Sequence, residues 1–102
     1  MKQKKEKKYT KYVRISDGEE LINTVIEFAN IQNFEYIKSS DYYRVELYTH
    51  QNLIKVHIQV NVLSKPDNGL RCLEFSWLEG DNSALETIFS LFTLFFTEKY
   101  DD

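Results

Sequence analysis

The sequence predicts an α+β fold in two layers, an antiparallel sheet of four to five strands with two helices on one of its faces. Three stretches carry that reading. Over residues 70–78, Leu73, Phe75 and Trp77 alternate with Cys72, Glu74 and Ser76, the period of two of a strand with one buried side. After a Gly80-Asp81 corner, Ala84, Leu85, Ile88, Phe89, Phe92, Phe95 and Phe96 recur at helical spacing and make the longest apolar helix of the chain. Over residues 53–63, Ile54, Val56, Ile58, Val60 and Val62 point one way while Lys55, His57, Gln59 and Asn61 point the other. One sheet face is therefore polar, and both helices belong on the opposite one.

In chain order, residues 1–8 are a basic disordered leader or linker, and residues 9–100 form a single domain. Residues 9–15 read as a short first strand, with Tyr12 alternating with Lys11, and Val13 and Ile15 with Arg14. Ser16 and Glu19 have capping-box spacing, in which a hydroxyl and a carboxylate satisfy two backbone donors, so a helix should begin at Asp17. It runs to about Ile31, with Leu21, Ile22, Val25, Ile26, Phe28 and Ala29 on one side and Glu19, Glu20, Asn23, Glu27 and Asn30 on the other. Asn33 ends it. A strand over residues 34–38, a turn at Ser39-Ser40-Asp41 and a strand with Tyr43, Val45 and Leu47 facing inward follow. His50-Gln51-Asn52 and the stretch 64–69, with Pro66, Asp67, Asn68 and Gly69, are short turns, so successive strands are antiparallel neighbours. Asp81 stands where it can cap the last helix.

At 102 residues the chain has room for one core, and 42% hydrophobic with 15% aromatic residues is too much apolar side chain for a disordered one. The single cysteine, Cys72, excludes an internal disulfide and any Cys-based zinc site, and it suits a reducing, intracellular compartment, nucleus or cytoplasm. No uncharged run reaches the roughly 18 residues that mark a membrane span, and the lysine-rich start lacks the apolar stretch of a signal peptide. The net charge of −3 conceals an asymmetry. Residues 1–15 carry seven basic groups against Glu6 alone, whereas residues 16–102 carry six basic against fifteen acidic groups. An acidic body is a poor match for nucleic acid or an anionic bilayer.

His50 and His57 have no Cys, Asp or Glu at ligand spacing, so no metal site is expected. Cys72 takes outward parity without a neighbouring His, the pattern of a surface or edge thiol rather than a nucleophile. Gly18, Gly69 and Gly80 make no phosphate loop, and the carboxylates lie on polar helix sides, exposed strand faces and turns without a general acid–base pair. The chain reads as a non-enzyme without a cofactor. Two features go further. The outer stripe of the last helix is Ser83, Thr87, Ser90, Thr93 and Thr97 with Leu94 among them, and Glu86 is its one charge. A free surface helix usually carries Lys and Glu there, so this stripe suits protein contact. Tyr42, Tyr48, Arg44 and Lys55 fall together on the polar sheet face, an aromatic and basic set of the kind that meets phosphate. Glu46 and Glu74 share that parity, and no nucleic-acid partner is expected.

A short strand, a helix opened by Asp17-Gly18-Glu19-Glu20, the run Val56-His57-Ile58-Gln59-Val60-Asn61-Val62-Leu63, then Gly69-Leu70-Arg71-Cys72-Leu73-Glu74-Phe75 and the Gly80-Asp81 corner before a terminal helix resemble a known family. It is the kinase-associated domain 1 found at the C-termini of Ser/Thr protein kinases. The resemblance covers about residues 9–96 and is carried by the Phe75-x-x-x-x-Gly80-Asp81 corner and the element order. It implies a non-catalytic regulatory module. In checkpoint effector kinases such a domain folds back on the catalytic domain and inhibits it. In microtubule-affinity-regulating kinases and budding-yeast septin-associated kinases it binds anionic phospholipid, and in energy-sensing kinases it assembles subunits.

Thr10-Lys11-Tyr12-Val13-Arg14-Ile15 resembles the first-strand motif of the checkpoint kinases, and Trp77 has the apolar character of their last strand. The lipid-binding type would place basic residues where Ser76-Trp77-Leu78-Glu79 stand. The resemblance therefore implies autoinhibitory docking on a kinase catalytic domain, or docking on another protein, with Tyr12, Arg14, Trp77, Thr87, Ser90 and Leu94 as contacts. Two alternatives stay open: an anionic-phospholipid-binding domain, with Lys8, Lys11, Arg44, Lys55 and Arg71 as anion contacts, and a subunit-assembly scaffold.

Overall fold

The computed structural model describes residues 8–15, 17–39, 43–49, 56–62, 70–81 and 83–100. Its elements run β1 (Lys8–Val13), α1 (Gly18–Ile31), β2 (Glu35–Lys38), β3 (Arg44–Thr49), β4 (Val56–Val62), β5 (Arg71–Gly80) and α2 (Ser83–Tyr100). The five strands form one antiparallel sheet in the order β1-β5-β4-β3-β2, so the chain closes its sheet by returning β5 alongside β1. Both helices lie on one face: α1 packs over β2, β3 and β4, and α2 over β4 and β5. This is the two-layer α+β arrangement that the alternation of β3 and β4 requires, since their inward residues are buried and their outward ones half-buried. The predicted turns at residues 50–52 and 64–69, the outer ends of the 53–63 strand and the Ser16 part of the capping box lie outside the described residues.

The ends of α1 follow from local chemistry. Asp17 is its N-cap, with Oδ1 accepting the Glu19 N–H at 3.0 Å, so the first helical residue is Gly18 rather than Asp17. At the other end Asn33 takes φ 64°, the left-handed region in which Asn is tolerated. The Asn33 N–H then donates to the Asn30 carbonyl at 3.2 Å and the Phe34 N–H to the Ala29 carbonyl at 2.8 Å. That pair of bonds is a Schellman stop, and its apolar clasp is the edge contact of Phe34 with Phe28, 6.0 Å between centroids.

The corner between β5 and α2 is built as firmly. Gly80 sits at φ 97°, where a side chain would be strained, and its carbonyl accepts the Trp77 indole N–H at 3.1 Å. Asp81 Oδ1 accepts the Ser83 N–H at 3.0 Å and the Ser83 hydroxyl at 2.7 Å, capping α2 as expected. Those hydrogen bonds, the hydroxyl first, hold the Asp81 carboxyl below its ordinary range. β5 runs two residues past the predicted Leu78, because an irregularity at His57/Ile58 sets Ile58 opposite Trp77 and His57 opposite Glu79 and lets the ladder continue.

Phe92 is the centre of the core. Its ring is fully buried and lies 5.3 Å from Phe28 on α1, 5.2 Å from Phe75 on β5 and 5.9 Å from Phe96 one turn on, joining both helices to the sheet. The helices also share a polar seam. Thr24, 2% exposed in the middle of α1, donates to the Glu20 carbonyl at 2.8 Å and meets the Tyr100 hydroxyl at 2.8 Å. Lys99 reaches Glu27 at 2.9 Å, and that bond raises the Lys99 pKa. Thr24 has the polar identity of a solvent residue, yet it is buried, and one partner of its hydroxyl is a tyrosine 76 positions away.

One reading of the sheet needs correction, that of Cys72. In β1, Tyr9, Lys11 and Val13 pair with Phe75, Leu73 and Arg71 on the helix side, with Val13 buried and Arg14 exposed as their alternation implies, and Tyr12 is 59% exposed on the other face. Lys11 tolerates the inward position because its ammonium lies over the Phe96 ring, 5.2 Å from the centroid. Cys72, expected as a surface or edge thiol, is buried. β5 is an interior strand flanked by β1 and β4, and the Tyr12 side chain stands opposite Cys72. Burial pushes the Cys72 thiol pKa up, against a smaller opposing hydrogen bond from Tyr12.

Candidate docking surface

The layer that faces away from the sheet is dominated by α2. Its inward side, Leu85, Ile88, Phe92 and Phe96, is buried, which turns Thr87, Ser90 and Leu94 to the outside at positions i, i+3 and i+7. All three are exposed, Leu94 by 58%. Leu91, 38% exposed, completes the patch, four residues after Thr87 and three before Leu94. Sequence reading missed Leu91, although its position on the helical wheel relative to Leu94 places it there. Thr93 and Thr97, expected in the same stripe, are half-buried instead, and the Thr93 hydroxyl oxygen is buried without a hydrogen-bond partner. The result is a strip of two leucines and two small hydroxyl residues, closed at its C-terminal end by exposed Glu98 one turn beyond Leu94.

The other docking candidates lie elsewhere. Tyr12 stands on the far face of the sheet, behind the layer that carries Leu94. Arg14 is exposed just beyond β1. Trp77 is half-buried on the helix side of β5, where its indole braces the Gly80 corner. The structure thus gathers Thr87, Ser90 and Leu94 into one surface and leaves Tyr12, Arg14 and Trp77 apart from it.

The anion candidates are similarly divided. Lys8 pairs with Glu74 at 3.8 Å on the outer sheet face, Lys11 turns to the helix side over Phe96, and Arg71 shares that inward parity while Arg44 has the outward one. Lys55 and Tyr42 are outside the described residues.

The outer sheet face is organised around a contact that sequence spacing could not reveal. The register of β3 with β4 sets Tyr48 opposite His57 and Glu46 opposite Gln59. The Tyr48 and His57 rings stack at 4.2 Å, His57 Nε2 is 2.8 Å from Glu46 Oε1, and the Tyr48 hydroxyl donates to the same oxygen at 3.1 Å. The His57 hydrogen bond is the main cause that lowers the Glu46 pKa, and burial is the main cause that raises that of Tyr48. A carboxylate with a depressed folded pKa stabilises at pH above the ordinary carboxylate range and loses that contribution as pH falls through its folded value. Glu46→Gln is therefore expected to cost about 1 kcal/mol or less near neutrality, given the partial exposure of the pair, and nothing in strong acid. Urea midpoints of wild type and variant at the two pH values check this, and an equal cost at both would contradict it.

A shallow groove of about 400 Å³ follows the helix seam and is lined by Asp17, Glu19, Glu20, Asn23, Thr24, Glu27, Lys99 and Tyr100. Its polar groups are largely engaged with one another through the Thr24, Tyr100, Glu20 and Lys99, Glu27 contacts. Among the described residues no three His, Cys, Asp or Glu side chains are grouped to hold a metal ion, and no described helix is long and apolar enough to cross a membrane.

Compared with known proteins, the chain matches no family model and no curated protein.

Proposed function

We propose that this chain is a non-catalytic, intracellular regulatory module that docks on a protein surface, and that the surface is the catalytic domain of a Ser/Thr protein kinase, held inactive by the contact. The observation that carries the reading is the outward strip of α2, where Leu91 and Leu94 are exposed beside Thr87 and Ser90. Exposed apolar side chains gain by being covered, at roughly 1.5–3 kcal/mol for a fully buried leucine. The kinase as partner rests on the resemblance of the Gly80-Asp81 corner and the element order to the kinase-associated domain. The scattering of Lys8, Lys11 and Arg71 over both sheet faces favours protein over anionic lipid as the ligand.

The test is basal kinase activity of the protein that carries this module, with and without Leu94→Asp. The exposed position leaves the fold intact, while a carboxylate in the covered strip would lie desolvated and unpaired. Activity is expected to rise toward that of the uninhibited catalytic domain, because the lost leucine contact and the unsolvated carboxylate together weaken docking by at least about a hundredfold. Unchanged activity in a folded variant would remove this strip from the docking surface. Salt-sensitive capture of anionic vesicles by residues 9–102 would favour phospholipid binding instead.

A further inference from the structure

We propose that the protein surface covering the α2 strip is an apolar pocket with an arginine or lysine beside it, and that Glu98 is the residue of this chain which that basic side chain meets. This rests on the docking reading and adds the charge contact that selects the partner.

Glu98 is exposed and lies one turn beyond Leu94 on the same side of α2, about 6 Å further along the helix axis. Among the described residues it makes no hydrogen bond or ion pair. The carboxylates of α1 are all engaged, Glu19 with Lys38 at 3.4 Å, Glu20 with the Tyr100 hydroxyl at 3.2 Å and Glu27 with Lys99 at 2.9 Å. Glu86, the other carboxylate of α2, stands in the first turn, where the positive end of the helix dipole favours it. Glu98 stands in the last turn, where the negative end opposes it, and the basic residue of that turn, Lys99, is held by Glu27. It is therefore the one carboxylate of the two helices that the fold leaves both unpaired and unfavourably placed, and it adjoins the exposed leucine of the strip.

A cation at the C-terminal end of α2 satisfies Glu98 and the helix dipole together, while a pocket one turn back takes Leu94 and Leu91. Charge complementarity thus selects a basic protein surface. Residues 16–102 carry fifteen acidic against six basic groups, so the field of the body draws such a surface in before contact is made. An anionic bilayer would set phosphate against the same carboxylate and be repelled.

The test is a titration of the chain with the isolated catalytic domain of a checkpoint effector kinase, for wild type, Glu98→Lys and Glu98→Gln. It is run at about 0.1 M and about 1 M salt, between which the Debye length falls from about 10 Å to about 3 Å. At the lower salt Glu98→Lys is expected to weaken binding about tenfold and Glu98→Gln about threefold, and both differences shrink at the higher salt. In the free chain the urea midpoint of Glu98→Lys rises, because a cation suits the end of the helix. Affinity and stability then move in opposite directions, which a residue needed only for the fold would not produce. Wild-type binding by Glu98→Lys, with binding lost in Leu94→Asp, would overturn the role of Glu98 and leave docking through the strip standing. A lower urea midpoint in Glu98→Lys would overturn it as well, by making Glu98 a support of the fold. A wild type that does not bind overturns the docking reading and the role of Glu98 together. Capture of anionic vesicles by the wild type, strengthened in Glu98→Lys, would set phosphate at this site and overturn the basic partner.

Discussion

Phe92→Ala lowers the stability of the domain by about 3–5 kcal/mol, the largest loss expected from any single truncation in the core. The ring is fully buried and touches Phe28, Phe75 and Phe96, which belong to three different elements, so no single neighbour can move to fill the space without leaving another. A domain of this size is stable by roughly 5–15 kcal/mol, so the variant spends much of its population unfolded or close to it. Leu94→Ala, half a turn away on the same helix, is the control. Leu94 is 58% exposed, and its truncation should stay within about 0.5 kcal/mol. Urea unfolding followed by circular dichroism separates the two. A loss below about 1 kcal/mol for Phe92→Ala would mean that α2 does not bury this face against the sheet.

The contrast between these two residues is also a measure of what the amino-acid order makes readable. The inward side of α2, the amphipathic α1 and the alternation of β3 and β4 depend on nearest neighbours along the chain, and each was legible as a period of 3.6 or 2. The Gly80 and Asp81 corner was legible for the same reason, since a positive φ and a cap are local events. What escaped depends on which strands become neighbours. Cys72 is buried because β5 lies between β1 and β4, and nothing near it in the chain says so. The Glu46 and His57 pair is set by the β3–β4 register, and Thr24 is buried by Tyr100. The phase of β1 was ambiguous because a six-residue strand with aromatic and basic residues at both parities has no clear apolar side; the Phe96 ring beneath Lys11 decides it. Within the candidate surface, Thr87, Ser90 and Leu94 were legible from helical spacing, whereas grouping them with Tyr12 and Trp77 drew on the family resemblance; Tyr12 lies on the far face of the sheet and Trp77 is half-buried at the Gly80 corner.

Docking through α2 predicts a second large effect, on affinity rather than stability. If the strip is covered in the complex, Leu94→Asp loses a buried leucine and adds a carboxylate that water no longer solvates, and the two penalties act together. Binding should weaken by at least about a hundredfold, while the unfolding midpoint, set by Phe92 and its neighbours, stays where it is. Charge at the rim matters less: reversing Arg14, exposed beyond β1, should alter the salt dependence of association more than its strength. The measurement that bears most directly on the proposal is a titration of the labelled chain with the isolated catalytic domain of a checkpoint effector kinase, repeated with Leu94→Asp. The account predicts saturable binding by the wild-type chain and its loss in the variant. Equal binding by both, or no binding by the wild type at the concentrations where it is folded, would contradict it.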